Sequence, residues 1–144
     1  MHHTVQNLIA IKKSIINNLK DQSINKIPKI IAVSKTFSTD KILPLIEYGH
    51  VDYGENKVQE AIDKWTEVKS KNSKIELHFI GKLQTNKVKF AVKLFDYIHS
   101  VDSEKLAQKI SDEQSKINRK IKIFIQVNIG NEDQKSGVGK QELS

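Results

Sequence analysis

Lys35 follows a short apolar run, residues 30–33, after Ser34 alone, and therefore lies where a predicted strand ends and a loop begins. An amine that loses its water at such a strand end has a lowered pKa, which makes it a better nucleophile. A lysine of this kind can form a Schiff base with a carbonyl compound. The alternative is a lysine whose amine simply reaches solvent, and position alone leaves both interpretations open.

The next two predicted strands also carry polar side chains. Gly54 permits a tight turn after the second strand, and Glu55 and Asn56 follow it, where both could project from the strand end. Asn56 either projects into a site there or caps the helix that follows. His78 lies inside the third strand, a position more typical of a hydrogen-bonded structural histidine than of a ligand.

A second lysine, Lys135, lies in the polar loop after the fifth predicted strand. It approaches the same edge as Lys35 only if the sheet curls, and otherwise it is a solvated loop lysine. The five histidines include no pair at metal-ligand spacing, so we predict no metal site. The chain also lacks a P-loop, a G-x-G-x-x-G motif and a nucleophile elbow.

Composition limits the class of protein further. The chain has 144 residues, of which 38% are hydrophobic and 28% charged, which is typical of one globular domain. It is shorter than a complete (β/α)8 barrel, which needs about 200 residues. The absence of cysteine excludes disulfides and thiolate catalysis. With no signal peptide and no apolar run of about 18 residues, we expect a soluble cytoplasmic protein with no membrane partner.

The formal net charge is +7, from 24 basic and 17 acidic residues, but Arg119 is the only arginine. Proteins that read nucleic acids rely on arginine for bidentate contacts. Scattered lysines are more typical of a solvated helix surface. We therefore predict no specific nucleic-acid partner and only a weak, salt-sensitive attraction to polyanions.

The hydrophobic pattern alternates between helical and extended segments. After an amphipathic helix over about 4–20, the predicted strands are 30–33, 51–53, 75–80, 97–101 and 121–129. The helices between them are predicted at about 40–48, 58–68, 84–94 and 103–117. The first strand has the pattern of a strand buried on both faces, and the fifth is the longest. A polar loop over 130–139 then precedes the start of a further helix.

This alternation predicts an α/β fold with about five parallel strands and right-handed crossovers, preceded by an N-terminal helix. An open doubly wound sheet and part of a (β/α)8 barrel both satisfy the pattern, and periodicity does not choose between them. In either fold, functional residues lie where the strands end.

Taken together, the strand ends resemble those of a known family. The matching segments, in the family's order, are Ala32–Thr36, Tyr53–Asn56 with Val58–Glu60, His78–Gly81 with Leu83-Gln84 and Asn86-Lys87, Ser100–Asp102, and Gln126–Asn128 with Lys135–Gly137. Each segment is a weak signal alone. In register over nearly the whole chain, they resemble the pyridoxal phosphate (PLP) homeostasis proteins, small barrels related to the alanine racemase N-terminal domain.

The resemblance implies an incomplete (β/α)8 TIM-type barrel, with residues 1–144 forming the N-terminal portion of a single PLP-binding domain. It implies that Lys35 holds PLP as a Schiff base and that Asn56 lies beside the cofactor. It further implies a transient role for Lys135 in taking up or passing on PLP. Tyr53 and Lys57 depart mildly from the family pattern, which usually has phenylalanine at the first position and tyrosine or arginine at the second.

Family members continue for several more βα units, which carry the segments that resemble the phosphate site. This sequence does not contain them, so we expect weaker PLP binding than in a full-length relative. We also expect an open five-stranded fragment to oligomerise through its unpaired edges.

The favoured function is a non-catalytic PLP carrier that acts in PLP homeostasis, with PLP-dependent apo-enzymes as recipients and no catalytic residue. One alternative is a PLP-dependent racemase or decarboxylase, which needs a second acid or base beside the cofactor. In related racemases that group comes from a second domain, for which this sequence has no room. The other alternative, a basic polyanion-binding module, depends on the net charge alone.

Overall fold

The computed structural model describes residues 1–21 and 27–127. Its helices are α1 (His3–Asp21), α2 (Thr39–Tyr48), α3 (Val58–Lys71), α4 (Val88–Leu94) and α5 (Glu104–Lys116), with a 3-10 turn at Thr85–Lys87. Its strands are β1 (Ala32–Val33), β2 (Asp52–Glu55), β3 (Glu76–Phe79), β4 (Tyr97–Val101) and β5 (Lys122–Ile125). The predicted alternation of strands and helices after an N-terminal helix is confirmed.

The five strands form one parallel sheet in the order β1-β2-β3-β4-β5. Each crossover leads to the next strand along, whereas a doubly wound sheet reverses its direction at a switch point. The strand order therefore identifies part of a (β/α)8 barrel and excludes the doubly wound alternative. Within the described residues the sheet is open, because β1 and β5 each pair with one neighbour only.

Alternate side chains of the strands separate into two faces. Tyr53, Leu77, Phe79 and Ile98 lie in the hydrophobic core that the sheet shares with helices α2 to α5. Trp65 of α3 is fully buried in this core, with its ring centroid 4.8 Å from that of Tyr53. The opposite face, which we call the open face, presents Val33, Asp52, Gly54, Glu76, His78, Tyr97, His99, Lys122 and Phe124.

The two edge strands differ from their predictions. β1 is shorter than residues 30–33 and is not buried on both faces, since Val33 is 49% exposed. β5 is not the longest described strand, because it has four residues and β4 has five. Within the described residues each of these strands pairs with one neighbour, and the apolar run of β1 extends beyond its pairing. Residues 128–144, with the predicted end of the fifth strand, the polar loop and the last helix, lie outside the described residues.

The helix ends follow local chemistry. α2 ends where Gly49 adopts a left-handed φ of 104°, as its position in the sequence predicts. Ser38 occupies the N-cap position of α2 but donates to the Asp40 carboxylate instead of capping the helix. Ser103 caps α5, since its hydroxyl oxygen accepts the Leu106 N–H at 3.1 Å. The predicted helix over 84–94 is divided into the 3-10 turn and α4.

The N-terminal helix α1 buries Val5 and Leu8, which are three residues apart and therefore lie on one side of the helix. This side faces the sheet domain, where α1 contacts α2. With 19 residues, α1 is the longest described helix. Neither α1 nor any other helix within residues 1–21 and 27–127 has the length and hydropathy needed to span a membrane.

Ser103→Ala removes the N-cap of α5 and leaves the Leu106 N–H without its acceptor. We expect the free energy of unfolding, measured by urea denaturation, to fall by about 1 kcal/mol. Ser111→Ala, an exposed position on the same helix, is the matched control and should change it by less than about 0.5 kcal/mol. Equal losses in the two variants would contradict the assignment of the cap.

Candidate functional site

The Lys35 side chain is exposed and has no hydrogen bond or ion pair to any described residue. It lies in a turn that follows β1, closed by the Phe37 N–H, which donates to the Ser34 carbonyl at 3.2 Å. Thr36 within this turn has a φ of 65°. A β-branched residue rarely adopts this left-handed conformation, which costs about 1–3 kcal/mol. Contacts from α3 hold the turn in this conformation.

The first contact centres on Glu55, which is fully buried and faces the helices. Its carboxylate accepts the Ser34 hydroxyl, the Trp65 indole N–H at 3.2 Å and the Lys64 ammonium at 3.1 and 3.2 Å. Lys64 also donates to the Ser34 carbonyl at 2.7 Å. The expectation that Glu55 projects from the strand end is therefore wrong, because the alternation of β2 directs Glu55 and Tyr53 to the same side.

The second contact is made by Glu60, one helical turn before Lys64. Its carboxylate accepts the Thr36 N–H at 2.7 Å and lies 3.5 Å from the Lys64 ammonium. The Thr36 N–H, and next the charge of Lys64, hold the pKa of the Glu60 carboxyl below its usual range. Glu55, Glu60 and Lys64 form what we call the α3 network, which binds the backbone on both sides of Lys35.

Asn56 lies at the same edge of the sheet as Lys35. Val33 pairs with Gly54, and Lys35 and Asn56 each follow that pair by two residues. Lys57, not Asn56, is the N-cap residue of α3, so the capping interpretation of Asn56 is wrong. The Asn56 Oδ1 atom is buried without a hydrogen-bond partner among the described residues. A buried acceptor without a donor is costly, and a bound molecule that donates a hydrogen bond would remove that cost.

Gly81 holds the next loop against Asn56. A Cβ atom at this position would lie 2.4 Å from the Asn56 carbonyl oxygen and 2.9 Å from its Cα. The Ser100 hydroxyl donates to the Gly81 carbonyl and joins β4 to this contact. Asn56 also lines a cavity of about 270 Å³, together with residues that include Lys82 and Lys87. Close packing at glycine therefore fixes the backbone of Asn56.

The structure brings Lys35 and Asn56 to one strand edge, as the sequence predicts. The third predicted site residue, Lys135, lies outside the described residues and stays a prediction. Sequence reasoning missed Glu60 and Lys64. The sequence does contain a signal for a pair of interacting residues, since Glu60 and Lys64 carry opposite charges and lie four positions apart on a predicted helix.

A second polar cluster occupies the open face, and it contains His78. The His78 Nε2 atom lies 2.8 Å from Asp52 Oδ1, and its Nδ1 atom lies 2.9 Å from His99 Nε2. The ring of His78 also stacks on Tyr97, with centroids 4.2 Å apart. The predicted hydrogen bonding of His78 is confirmed, and its structural role stays a prediction.

Donor atoms of Asp52, Glu76 and His78 lie within 4.8 Å of one another, a separation that suits a metal ion. The Lys29 ammonium already lies between these two carboxylates, at 3.6 Å from Asp52 Oδ1 and 3.2 Å from Glu76 Oε2. The hydrogen bond between Lys29 and the Tyr97 hydroxyl raises the pKa of Lys29 above its usual range. The two carboxylates raise it as well, by a smaller amount. The cluster is thus an ionic network with its own cation.

Comparison with known proteins finds a matching family model and similar proteins. Residues 7–144 match the family model for the alanine racemase N-terminal domain. The chain is 34% identical to the pyridoxal phosphate homeostasis protein of Pasteurella multocida over 139 residues, covering 96% of this chain and 60% of the relative. It is 42% identical to the protein of the same name from Buchnera aphidicola, covering 92% of this chain and 58% of the relative.

Solved structures agree with this similarity. The structure of PipY from Synechococcus elongatus PCC7942 with PLP bound is 34% identical, with a TM-score of 0.72, and the match covers 90% of this chain and 60% of PipY. Alanine racemase of Clostridium difficile has a TM-score of 0.60 at 17% identity, covering 88% of this chain and 32% of the racemase, which is a likeness of fold alone. The chain therefore spans about three fifths of the length of the two pyridoxal phosphate homeostasis proteins and of PipY.

Gly81→Ala places a methyl group against the Asn56 backbone, which cannot move aside as a flexible side chain would. We expect the free energy of unfolding to fall by about 1–3 kcal/mol, as measured by urea denaturation. Lys82→Ala, an exposed neighbour, is the control and should leave it within about 0.5 kcal/mol. A Gly81→Ala protein as stable as the control would contradict the close packing.

His99 makes the stability depend on pH. Burial lowers the pKa of His99, and the neighbouring His78 lowers it further. Because the unfolded chain then binds a proton more readily, we expect stability to fall as the pH decreases from about 7 to about 5. In His99→Gln this decrease should be smaller, although the buried His50, whose pKa burial also lowers, retains part of it. Urea denaturation of both proteins across this range measures the effect, and parallel pH profiles would contradict it.

Proposed function

Since the chain belongs to the alanine racemase N-terminal domain family, we propose that it binds PLP on Lys35 and acts as a non-catalytic carrier in PLP homeostasis. The observation that carries this proposal is the arrangement at one strand edge. There Lys35 has an amine without a partner among the described residues, and Asn56 has a buried acceptor without a donor. PLP carries a group suited to each, because its aldehyde can react with an amine and its ring hydroxyl can donate to an amide oxygen.

Lys35 and Asn56 would have different roles in binding PLP. Lys35 would hold the cofactor as a Schiff base when its amine is uncharged, since only the free amine is a nucleophile. Asn56 Oδ1 would accept a hydrogen bond from the cofactor and so orient it. We propose further that Lys135 takes up or passes on the cofactor and that PLP-dependent apo-enzymes in the cytoplasm receive it.

The chemistry around Lys35 supports a carrier over a racemase or decarboxylase. Such an enzyme needs a second acid or base that is free to exchange a proton with the substrate. Two ionisable side chains described beside the turn, Glu60 and Lys64, are occupied by the Thr36 N–H, the Ser34 carbonyl and each other. A group that holds the backbone in this way is a poor candidate for proton transfer.

The open sheet has a consequence for assembly. β5 carries Ile123, Phe124 and Ile125 with 39%, 52% and 50% of their surfaces exposed, and β1 is the other edge of the sheet, unpaired on its outer side within residues 1–21 and 27–127. We propose that a chain of these residues alone self-associates through these edges and binds PLP more weakly than its full-length relatives do.

Lys35→Ala tests the proposed function directly. The wild-type chain mixed with PLP should develop the absorbance band of a Schiff base, and borohydride reduction should attach the cofactor to the peptide that contains Lys35. In Lys35→Ala both signals should be lost.

Lys105→Ala, an exposed lysine of α5, is the control and should keep the band at its wild-type intensity. A band of equal intensity in Lys35→Ala would contradict the assignment of the lysine. A wild-type chain that forms no band but binds nucleic acid in a salt-dependent manner would contradict the carrier function.

A further inference from the structure

We infer that Glu60 and Lys64 of α3 are positioning residues for the reaction of Lys35 with its carbonyl ligand. This inference rests on the proposed function and adds to it the groups that prepare the lysine. Neither residue lies next to Lys35 in the sequence, and both act on its backbone.

The two contacts fix both peptide groups that flank the Lys35 Cα atom. The Ser34 carbonyl belongs to the peptide before Lys35 and accepts the Lys64 ammonium at 2.7 Å. The Thr36 N–H belongs to the peptide after Lys35 and donates to Glu60 at 2.7 Å. With both peptide planes held, the backbone dihedrals of Lys35 are fixed, and so is the direction in which its side chain leaves the main chain.

The exposure of Lys35 makes this backbone control important. Its side chain has no hydrogen bond or ion pair to a described residue, so no polar contact of its own directs the amine. The turn also contains Thr36 at a φ of 65°, which a free chain would leave for a less strained conformation. The α3 network therefore maintains a backbone geometry that local sequence disfavours.

Ion pairs with Lys64, whose side chain is 9% exposed, connect Glu60 to the buried Glu55. Lys64 bridges Glu60 at 3.5 Å and the fully buried Glu55 at 3.1 Å, and Glu55 also accepts the Trp65 indole N–H. A buried ion pair is weak evidence for stability, because well-packed apolar residues often serve as well. Here the charged side chains bind the backbone before and after Lys35, which indicates that they orient Lys35.

The reaction to be positioned is the addition of the Lys35 amine to an aldehyde. The nitrogen lone pair forms a bond to the carbonyl carbon, and the carbonyl oxygen then leaves as water with the two protons that the nitrogen loses. The product is a carbon–nitrogen double bond, and no oxidant or reductant is needed. Rates of such reactions depend steeply on the alignment of the two reacting atoms.

Glu60→Ala and Glu60→Gln in the full chain separate orientation from charge. Alanine removes the acceptor of the Thr36 N–H, whereas the amide oxygen of glutamine can still accept it. We expect the limiting rate of Schiff-base formation at saturating PLP to fall about tenfold in Glu60→Ala and to return to within about twofold of wild type in Glu60→Gln. Stopped-flow absorbance measures both rates.

Glu67→Ala, on an exposed part of the same helix, is the matched control and should react at the wild-type rate. If Glu60→Ala does not fold, Glu60→Asp keeps the charge with a shorter reach and should also be slow. A wild-type rate in whichever of these two variants folds would overturn the inference, as would a Glu60→Gln rate as slow as that of Glu60→Ala. A wild-type chain without a Schiff-base band would instead overturn the proposed function, and this inference with it.

Discussion

The buried carboxylate of Glu55 imposes the constraint on which this part of the structure depends. An ionised carboxylate without partners in a protein interior costs several kcal/mol, so it requires donors from its surroundings. Those donors come from Ser34 after β1 and from Lys64 and Trp65 of α3. Strands β1 and β2 and helix α3 must therefore assemble together. Since β1 has only two residues and pairs with β2 alone among the described strands, this polar contact supplies part of what its short pairing lacks.

The sequential order of the strands also determines which face of the sheet the helices cover. The strands in order place the helices that cover the sheet on one side, which leaves the open face to its own side chains. On β2 to β4 those side chains are Asp52, Glu76, His78 and Tyr97, which satisfy one another with Lys29. On β5 they include the exposed ring of Phe124, which stacks on His99. The open face thus combines an internally paired ionic network with an apolar edge, and the strand-end site lies apart from that network.

The sequence determined the order of elements and the strand ends at which the candidate site residues lie. Strand β4 lies at its predicted residues 97–101, and α2 ends at Gly49, because glycine there provides a left-handed conformation that other residues resist. The positions of Lys35 and Asn56 after neighbouring strands followed from the apolar runs that precede them. These features are local, since each depends on residues within a few positions of one another.

Only the tertiary structure decided the choice between a doubly wound sheet and part of a barrel, because both have the same alternation and differ in which strands pair. It also decided that Glu55 points into the core and that Glu60 and Lys64 hold the turn around Lys35. The contacts Ser34–Glu55 and His78–Asp52 join residues more than 20 positions apart. Local pattern cannot specify such contacts, since they form only after the strands have taken their register. The sequence supplied the candidate lysine, and the packing of α3 against the strands determined how its backbone is held.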